Sequence, residues 1–401
     1  MKKILISAGD YSADLHGESL VREMRKLDPS LFVTALGGVR LKGVVNEFLR
    51  DMVEMDISGF SQPVKQFFSL KKILQDVVFP RLESSATHRA DERLPCGDSR
   101  RVDAVVLIDY YGFNIHIARK AREKNIPVFY FVSPQVWASR RWRIQKLKSC
   151  VTKMLVIFPF EEELYRQNGV PVEFVGHPLM DRIAAAAREE LRSPSNGASR
   201  HTAGARPPDV WRTIRLGLMP GSRPKEVTRH LPLMLECAKQ LKKQFPSTEM
   251  ILFAVDNIPD EFYRSLVGQE TVRMVRENGY RERLGLTLSL TASGTATLEN
   301  ALLGIPMVVI YQTSWLTYLI ARLIIQVPHI SMPNILSGKD LVPELVQDRA
   351  NSRRMAETAA RLIADPNLLA KMKEELVQLR EKLGQPGAYS RAAQTILKSI
   401  P

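Results

Sequence analysis

The sequence predicts an α/β protein built of two doubly wound domains in series, with its deepest crevice between them. Three observations carry this expectation. Short β-branched runs alternate with helix-period segments, as in βαβ units; the alternation dissolves once, from about residue 183 to 212; and it then restarts. A chain of 401 residues has room for two to three domains of roughly 100–200 residues each.

In the first half, residues 3–8, 32–36, 104–109, 128–132, 154–158 and 173–175 read as buried strands, with helical patterns at 15–26, 115–124 and 160–167. In the second half, 214–219, 250–255, 287–291 and 307–311 read as strands, with helices at 231–245 and 297–303. The expected organisation is a first domain over 1–183, a linker or flexible insert over 184–213, and a second domain over 214–370. A helical tail over 371–401 could pack back on the first domain. Residues 84–101 read as a surface loop.

Composition narrows the function classes. With 45% hydrophobic and 25% charged residues the chain is neither disordered nor collagen-like. Its three cysteines, Cys96, Cys150 and Cys237, are too few for a disulfide framework and fit a reducing compartment. No clustered Cys or His spacing suggests a zinc site, and no metal or cofactor is expected. Lys and Arg exceed Asp and Glu by 57 to 43, a net charge of +14. Such an excess draws polyanions, whether nucleic acid, an anionic membrane surface or phosphorylated substrates. The apolar start ends at Ser7, too early for a signal peptide, and the run 316–327 contains Arg322 and is too short to span a bilayer.

The second domain opens on a strand running into Pro220-Gly221-Ser222-Arg223-Pro224-Lys225-Glu226. Gly221 permits a tight turn, Ser222 can cap a helix and Pro224 suits its first turn, so free N–H groups and Arg223 would face an anion such as a diphosphate. A capped helix with solvated basic residues is the plain alternative. A second such turn lies at Ser293-Gly294-Thr295-Ala296-Thr297, followed by Glu299 and Asn300. Glu299, one turn further in, is placed to accept both hydroxyls of a ribose, although it also suits a surface or capping carboxylate. No complete P-loop and no G-x-G-x-x-G occurs, which argues against an NTPase or a dinucleotide dehydrogenase.

In the first domain an apolar strand ends in Asp109, followed by Tyr110-Tyr111-Gly112-Phe113-Asn114. A carboxylate at the carboxyl end of a central strand faces the ligand and, if desolvated, makes a general base; it could equally cap the next helix. The segment after the first strand adds Asp10, Asp14 and His16, and His177 follows another strand end, where a structural histidine is as much at home. No Asp-x-Asp pair stands ready to hold a metal-bound diphosphate. The segment 62–81 combines Val64, Phe67 and Phe68 with Lys71 and Lys72, the pattern of a helix lying in a membrane interface or of an ordinary core-facing helix. Residues 139–153 are basic throughout, without an acid.

These motifs, in this order and over most of the chain, resemble the lipid-A-disaccharide synthases, membrane-associated glycosyltransferases of the GT-B architecture, in which two Rossmann-like domains face a central crevice. The resemblance rests on Gly9-Asp10-Tyr11-Ser12-Ala13-Asp14, where the family usually has Gly-Glu-x-Ser-Gly-Asp, on Ile108-Asp109 with Phe113-Asn114, and on Ser133-Pro134-Gln135-Val136-Trp137-Ala138. It continues through Phe158-Pro159-Phe160-Glu161, Gly176-His177-Pro178, Pro220-Gly221-Ser222-Arg223, Ser293-Gly294-Thr295 to Glu299, and Ser331-Met332-Pro333-Asn334.

The resemblance implies transfer of 2,3-diacylglucosamine from its UDP derivative to 2,3-diacylglucosamine 1-phosphate, with inversion, without metal, and with release of UDP. Carried over by position, Asp109 is the base for the acceptor 6-hydroxyl, with Asp14 and Asp10 as the other catalytic candidates. Gly221, Ser222, Arg223, Ser293, Gly294, Thr295, Thr297, Glu299 and Asn300 would hold UDP. Asn114, Trp137, His16 and His177 would line the acceptor side, and Val64, Phe67, Phe68, Lys71 and Lys72 would touch the membrane. The implied setting is the cytoplasmic face of the inner membrane, with no nucleic acid as partner and room for a homodimer. The alternatives are another UDP-sugar transferase or epimerase of this architecture, a nucleic-acid binder, and a catalytically impaired membrane scaffold.

Overall fold

The structure, a computed structural model, describes residues 1–53, 69–83, 101–192, 213–277, 279–325 and 327–400. It divides into two units, Met1–Asp181 with Leu383–Pro401, and Arg182–Lys382.

The first unit holds β1 (Lys3–Ala8), β2 (Phe32–Gly37), β3 (Glu47–Asp51), β4 (Ala104–Ile108), β5 (Val128–Phe131), β6 (Lys153–Val156) and β7 (Val172–Phe174). They form one sheet in the order β3-β2-β1-β4-β5-β6-β7, every pair parallel. Its helices are α1 (Tyr11–Leu27), α2 (Val39–Lys42), α3 (Phe79–Leu82), α4 (Tyr111–Glu123), α5 (Arg143–Lys148) and α6 (Pro159–Gln167), with a π-helical turn, Leu74–Val78, leading into α3. Strands covered on both faces must be apolar throughout, and Ile4, Leu5, Ile6 and all of β4 are fully buried.

A further helix, α7 (Pro178–Arg192), carries the chain across the division. The second unit contains β8 (Ile214–Met219), β9 (Thr248–Phe253), β10 (Arg273–Val275), β11 (Leu288–Ala292), β12 (Met307–Tyr311) and β13 (Glu344–Val346). The order is β10-β9-β8-β11-β12-β13, again all parallel. Around it lie α8 (Pro224–Gln244), α9 (Asp260–Val267), α10 (Arg281–Leu284), α11 (Thr295–Leu303), α12 (Trp315–Ile324), α13 (Met332–Ser337), α14 (Ser352–Ala364) and α15 (Pro366–Lys382). The last helix, α16 (Ala388–Lys398), returns to the first unit, where Tyr389 Oη hydrogen-bonds His16 Nδ1 at 2.8 Å and Lys2 Nζ donates to Leu397 O and Ile400 O. Two doubly wound sheets are thus the architecture.

Several expectations change in detail. The irregular stretch expected from 184 is helical as far as Arg192, because α7 keeps its Ala-rich helical run. The C-terminal segment is shared, with α15 in the second unit and only residues from Leu383 in the first. Strands β3, β10 and β13 were not anticipated; each lies at a sheet edge, where charged residues replace the apolar runs of central strands.

Of the segment expected to touch a membrane, Val64, Phe67 and Phe68 lie outside the described residues. Its described part turns inward: Ile73, Leu74, Val78 and Leu82 are buried in the core beneath β1 and β4, while Lys71 and Lys72 are exposed. That part is a core-facing helix.

Candidate active site

The strand order reverses between β1 and β4 in the first unit and between β8 and β11 in the second. Ligands of such sheets bind at the carboxyl ends of those strands.

In the first unit β4 delivers Asp109. Its backbone is left-handed (φ 45°), as is that of Tyr110 (φ 46°), a conformation that costs on the order of 1–3 kcal/mol per non-glycine residue. The neighbours that hold it are visible. Tyr130 Oη and Asn114 Nδ2 both donate to Asp109 O, the amide at 2.9 Å, and Asp109 N donates to Val132 O. The Tyr110 ring lies against Gly9, where a Cβ would come within 2.2 Å of it, so the turn after β1 needs glycine. Burial, and after it the negative charge of Asp10, push the Asp109 carboxyl up to about 6.

The other two candidate carboxylates part company. Asp10 caps α1, accepting from Ala13 N at 2.8 Å, and stays exposed beside Asp109. Asp14 is buried and accepts three backbone N–H groups, from Gly38 at 2.7 Å, Arg40 at 3.0 Å and Leu41 at 3.1 Å. Its carboxylate is thus engaged with the start of α2. Asn114 is likewise buried and fully engaged, taking Ser7 Oγ at 2.7 Å and donating to Ile108 O and Asp109 O. Through these bonds it holds the Asp109 turn.

Trp137, Phe160, Phe158 and His177 form a row of rings, with centroids 5.1, 5.4 and 4.9 Å apart in that order. His177 accepts Leu179 N at 3.1 Å, and burial, followed by the nearby His16, lowers it to about 3, so it is neutral at pH 7. Behind this row Glu161 is buried beside Ser133 and Trp137, and burial raises its carboxyl to about 8. Arg143 stacks over Tyr111, 4.2 Å from the ring centroid, at the start of α4.

In the second unit the turn after β8 has Gly221 at φ 119°, and the helix starts at Pro224 with Arg223, not Ser222, as its N-cap. Glu226 reaches back to accept Ser222 N at 3.1 Å, Arg223 N at 3.3 Å and Arg223 Nη1 at 2.9 Å. The amides expected to be open to a diphosphate thus already face a carboxylate, as in a capping box. Arg223 remains exposed.

The turn after β11 is the more open of the two. At Gly294 an added Cβ would meet nothing within 4 Å, and Thr295 is exposed, so an anion can approach this backbone. Thr297 Oγ1 donates to Gly294 O at 2.7 Å and stiffens the turn. Ser293 Oγ donates to Ile330 O at 2.8 Å. Glu299 is held by Arg182 Nη1 at 3.1 Å and Tyr280 Oη at 3.2 Å on one oxygen, and by Arg283 Nη1 at 2.8 Å on the other. Asn300 points into the core, where its amide meets Ser289 Oγ, Thr291 Oγ1 and Met219 Sδ.

Several groups have roles that the sequence reading did not assign, among them Arg182, Tyr280 and Arg283 on Glu299, and Glu226, His230 and Tyr130. Glu226 had a local signal, the three-residue spacing from an N-cap. His230 had none: fully buried, it hydrogen-bonds Pro220 O through Nδ1 at 2.9 Å and accepts Gln312 N on Nε2 at 3.1 Å, tying the turn after β8 to the end of β12. Tyr130 reads only as part of an apolar strand.

A family model described as lipid-A-disaccharide synthetase matches residues 4–399. Among curated proteins, the lipid-A-disaccharide synthase of Syntrophus aciditrophicus is 39% identical, covering 100% of this chain and 98% of its own. That of Geobacter metallireducens is 37% identical over 100% and 97%. Among solved structures the chain is similar in fold to a UDP-GlcNAc 2-epimerase from Neisseria meningitidis bound to UDP-GlcNAc (TM-score 0.64, 13% identity, 99% of this chain and 100% of that one). It is also similar to MurG of Acinetobacter baumannii (TM-score 0.55, 13% identity, 99% and 100%). The sequence matches extend over both sheets and every turn described above, and on them the chain belongs to the lipid-A-disaccharide synthetase family.

Proposed function

We propose that the chain joins two acylated glucosamines, transferring 2,3-diacylglucosamine from UDP to the 6-hydroxyl of 2,3-diacylglucosamine 1-phosphate and releasing UDP and the β-1,6-linked disaccharide 1-phosphate. The family match over residues 4–399 carries this reading, and the group placed to take the proton is Asp109, a carboxyl raised by burial to about 6 at the carboxyl end of β4. It is ionised at neutral pH yet basic enough to take a proton.

In this reading Asp109 accepts the proton of the acceptor hydroxyl as the oxygen attacks the anomeric carbon, and the bond to UDP breaks on the opposite face, with inversion. Glu299 takes the ribose hydroxyls. The open backbone at Gly294 and Thr295, with Arg223, meets the diphosphate charge without a divalent ion. Arg143, stacked on Tyr111 close to the Asp109 turn, suits the acceptor phosphate. The protein works peripherally on the cytoplasmic face of the inner membrane; among the described residues no helix is long and apolar enough to cross a bilayer.

The test uses purified protein with both lipid substrates in detergent micelles containing a chelator, read by mass spectrometry. Tetraacyl disaccharide 1-phosphate and UDP are expected. UDP-sugar turned over without any acceptor would instead favour an epimerase, and UDP binding without product would move the reading to a different acceptor.

A further inference from the structure

Helix α12 is out of place for a protein in water. Trp315 is 61% exposed, Leu316 71%, Leu319 55% and Leu323 87%, and Ile324 and Ile325 are exposed beside them. Positions 315, 316, 319 and 323 form a single helical stripe. A contiguous apolar face of this kind marks an interaction surface.

Its chemistry selects the occupant. The chain has no Asp or Glu from residue 301 to 339. Arg322, on the same helix, lies over the Tyr318 ring at 5.9 Å, and Tyr318 packs edge-on to Trp315 at 5.8 Å. On α8 the exposed Arg229 donates to Gln312 O, just before the helix. Aromatic and aliphatic groups flanked by arginines, with no acid among them, complement anionic headgroups above acyl chains. The helix has 10 residues, about 15 Å, so it can lie in an interface but not cross one. A face that short offers much less than the roughly 800 Å² per partner of a stable dimer.

The helix is also tied to the nucleotide-binding turns of its own unit. At its start, His230 links Gln312 N to Pro220 O, and Gln347 exchanges two hydrogen bonds with the Thr313 backbone. Beyond its end, before α13, Ser293 Oγ holds Ile330 O, and Glu344 accepts Ile330 N and Ser331 N, each at 3.0 Å. What α12 touches therefore sets where the turns after β8 and β11 are presented.

We infer that α12 is a bilayer-docking helix, seating its Trp315–Leu316–Leu319–Leu323 face at the headgroup–acyl boundary of an anionic phospholipid membrane and holding the UDP-sugar turns at that surface. The benefit of such docking rests on the proposed lipid substrates; the docking itself does not.

The test compares the full chain with a Leu319→Gln/Leu323→Gln variant for co-sedimentation with vesicles of phosphatidylcholine and phosphatidylglycerol. Both side chains are exposed, so folding should survive, and calorimetric UDP affinity serves as the check. Removing two of the apolar anchors should lower partitioning at least tenfold. In parallel, lipids brominated on the acyl chains should quench a component of the emission that disappears in Trp315→Phe. Unchanged partitioning, or Trp315 emission indifferent to brominated lipid, overturns the inference. So does a self-association that the variant abolishes while vesicle binding stays constant. Weaker partitioning of the variant, with Trp315 quenched in the parent chain, sustains the docking even if no disaccharide forms in micelles, which separates its fate from that of the catalytic proposal.

Discussion

The side-chain amide of Asn114 donates to the backbone carbonyl of Asp109 at 2.9 Å, while its own carbonyl is held by Ser7 Oγ. Asn114 thus fixes the peptide that aims the candidate base and leaves the carboxylate untouched. In Asn114→Ala the left-handed turn loses a buried donor, and a misplacement of an ångström costs on the order of 10² in rate. The expected result is a fall in kcat of about that size, with the acidic limb of the pH profile moving towards an ordinary carboxylate as the turn loosens and water reaches Asp109. Simple loss of folded protein would lower the rate and leave that limb at about 6.

Asp109→Asn should remove on the order of 10²–10⁴ in turnover while stabilising the fold at neutral pH. The folded carboxyl titrates at about 6, above its unfolded value of about 3.9. Its contribution to stability is fully present below the unfolded value and is lost as pH rises through about 6. Asparagine has no such loss. Urea titrations should show a gap between variant and parent that opens from about pH 4 to pH 6, reaching about 2 kcal/mol. A gap independent of pH would contradict the desolvation of Asp109.

Glu226 occupies the amides of Ser222 and Arg223 and pairs with the Arg223 guanidinium at 2.9 Å. A diphosphate arriving at this turn meets like charge. Glu226→Gln should therefore bind UDP several-fold more tightly, a gain of about 1 kcal/mol at most in this exposed setting. It should also cost about 1 kcal/mol in stability through the weakened cap. Calorimetry and thermal unfolding measure the two; weaker UDP binding would show that Glu226 orients Arg223 for the ligand.

The central strands and the residues at their carboxyl ends were legible because strands buried on both faces are apolar throughout, so β4 announces itself and Asp109 stands out at its end. The edge strands β3, β10 and β13, which have no such requirement, were not. Among side chains, what the sequence does not show has one cause. Asp14 and Asn300 flank glycine-rich turns and so resemble ligand groups, but their partners lie far off in sequence: Asp14 meets Gly38 and Asn300 meets Met219. Spacing along one strand–turn–helix cannot show which way such a group points. The family resemblance rests on whole motifs and does not depend on where any one of these groups points.

Glu161 offers a second pH test, of stability alone. Burial raises its carboxyl to about 8, so the proton it keeps in the fold is lost as pH climbs, and the stability that goes with it is present below about pH 4.3, the unfolded value, and gone above about 8. Glu161→Gln retains an oxygen for Phe158 N, which now donates to Glu161 Oε2 at 3.3 Å, and cannot ionise. The melting temperature of the parent should fall relative to the variant between pH 5 and pH 8.5, by about 5 °C or more. Parallel curves would mean that the carboxyl ionises freely.

Glu299 has room for about four hydrogen bonds, and Arg182, Tyr280 and Arg283 supply three. A ribose asking for two must displace one of them. Arg182, with its side chain 45% exposed against 15% for Arg283, is the partner that can yield. Glu299→Gln would keep the shape, halve the acceptor capacity and leave the largely buried Arg283 with Glu277 as its remaining charge partner. Loss of a charged hydrogen bond to the ribose, about 1.5–3 kcal/mol, should weaken UDP roughly 10- to 150-fold by calorimetry. Arg182→Ala should weaken it far less, since it frees an oxygen that the ribose can use. Equal losses in the two variants would show instead that Arg182 itself grips the nucleotide.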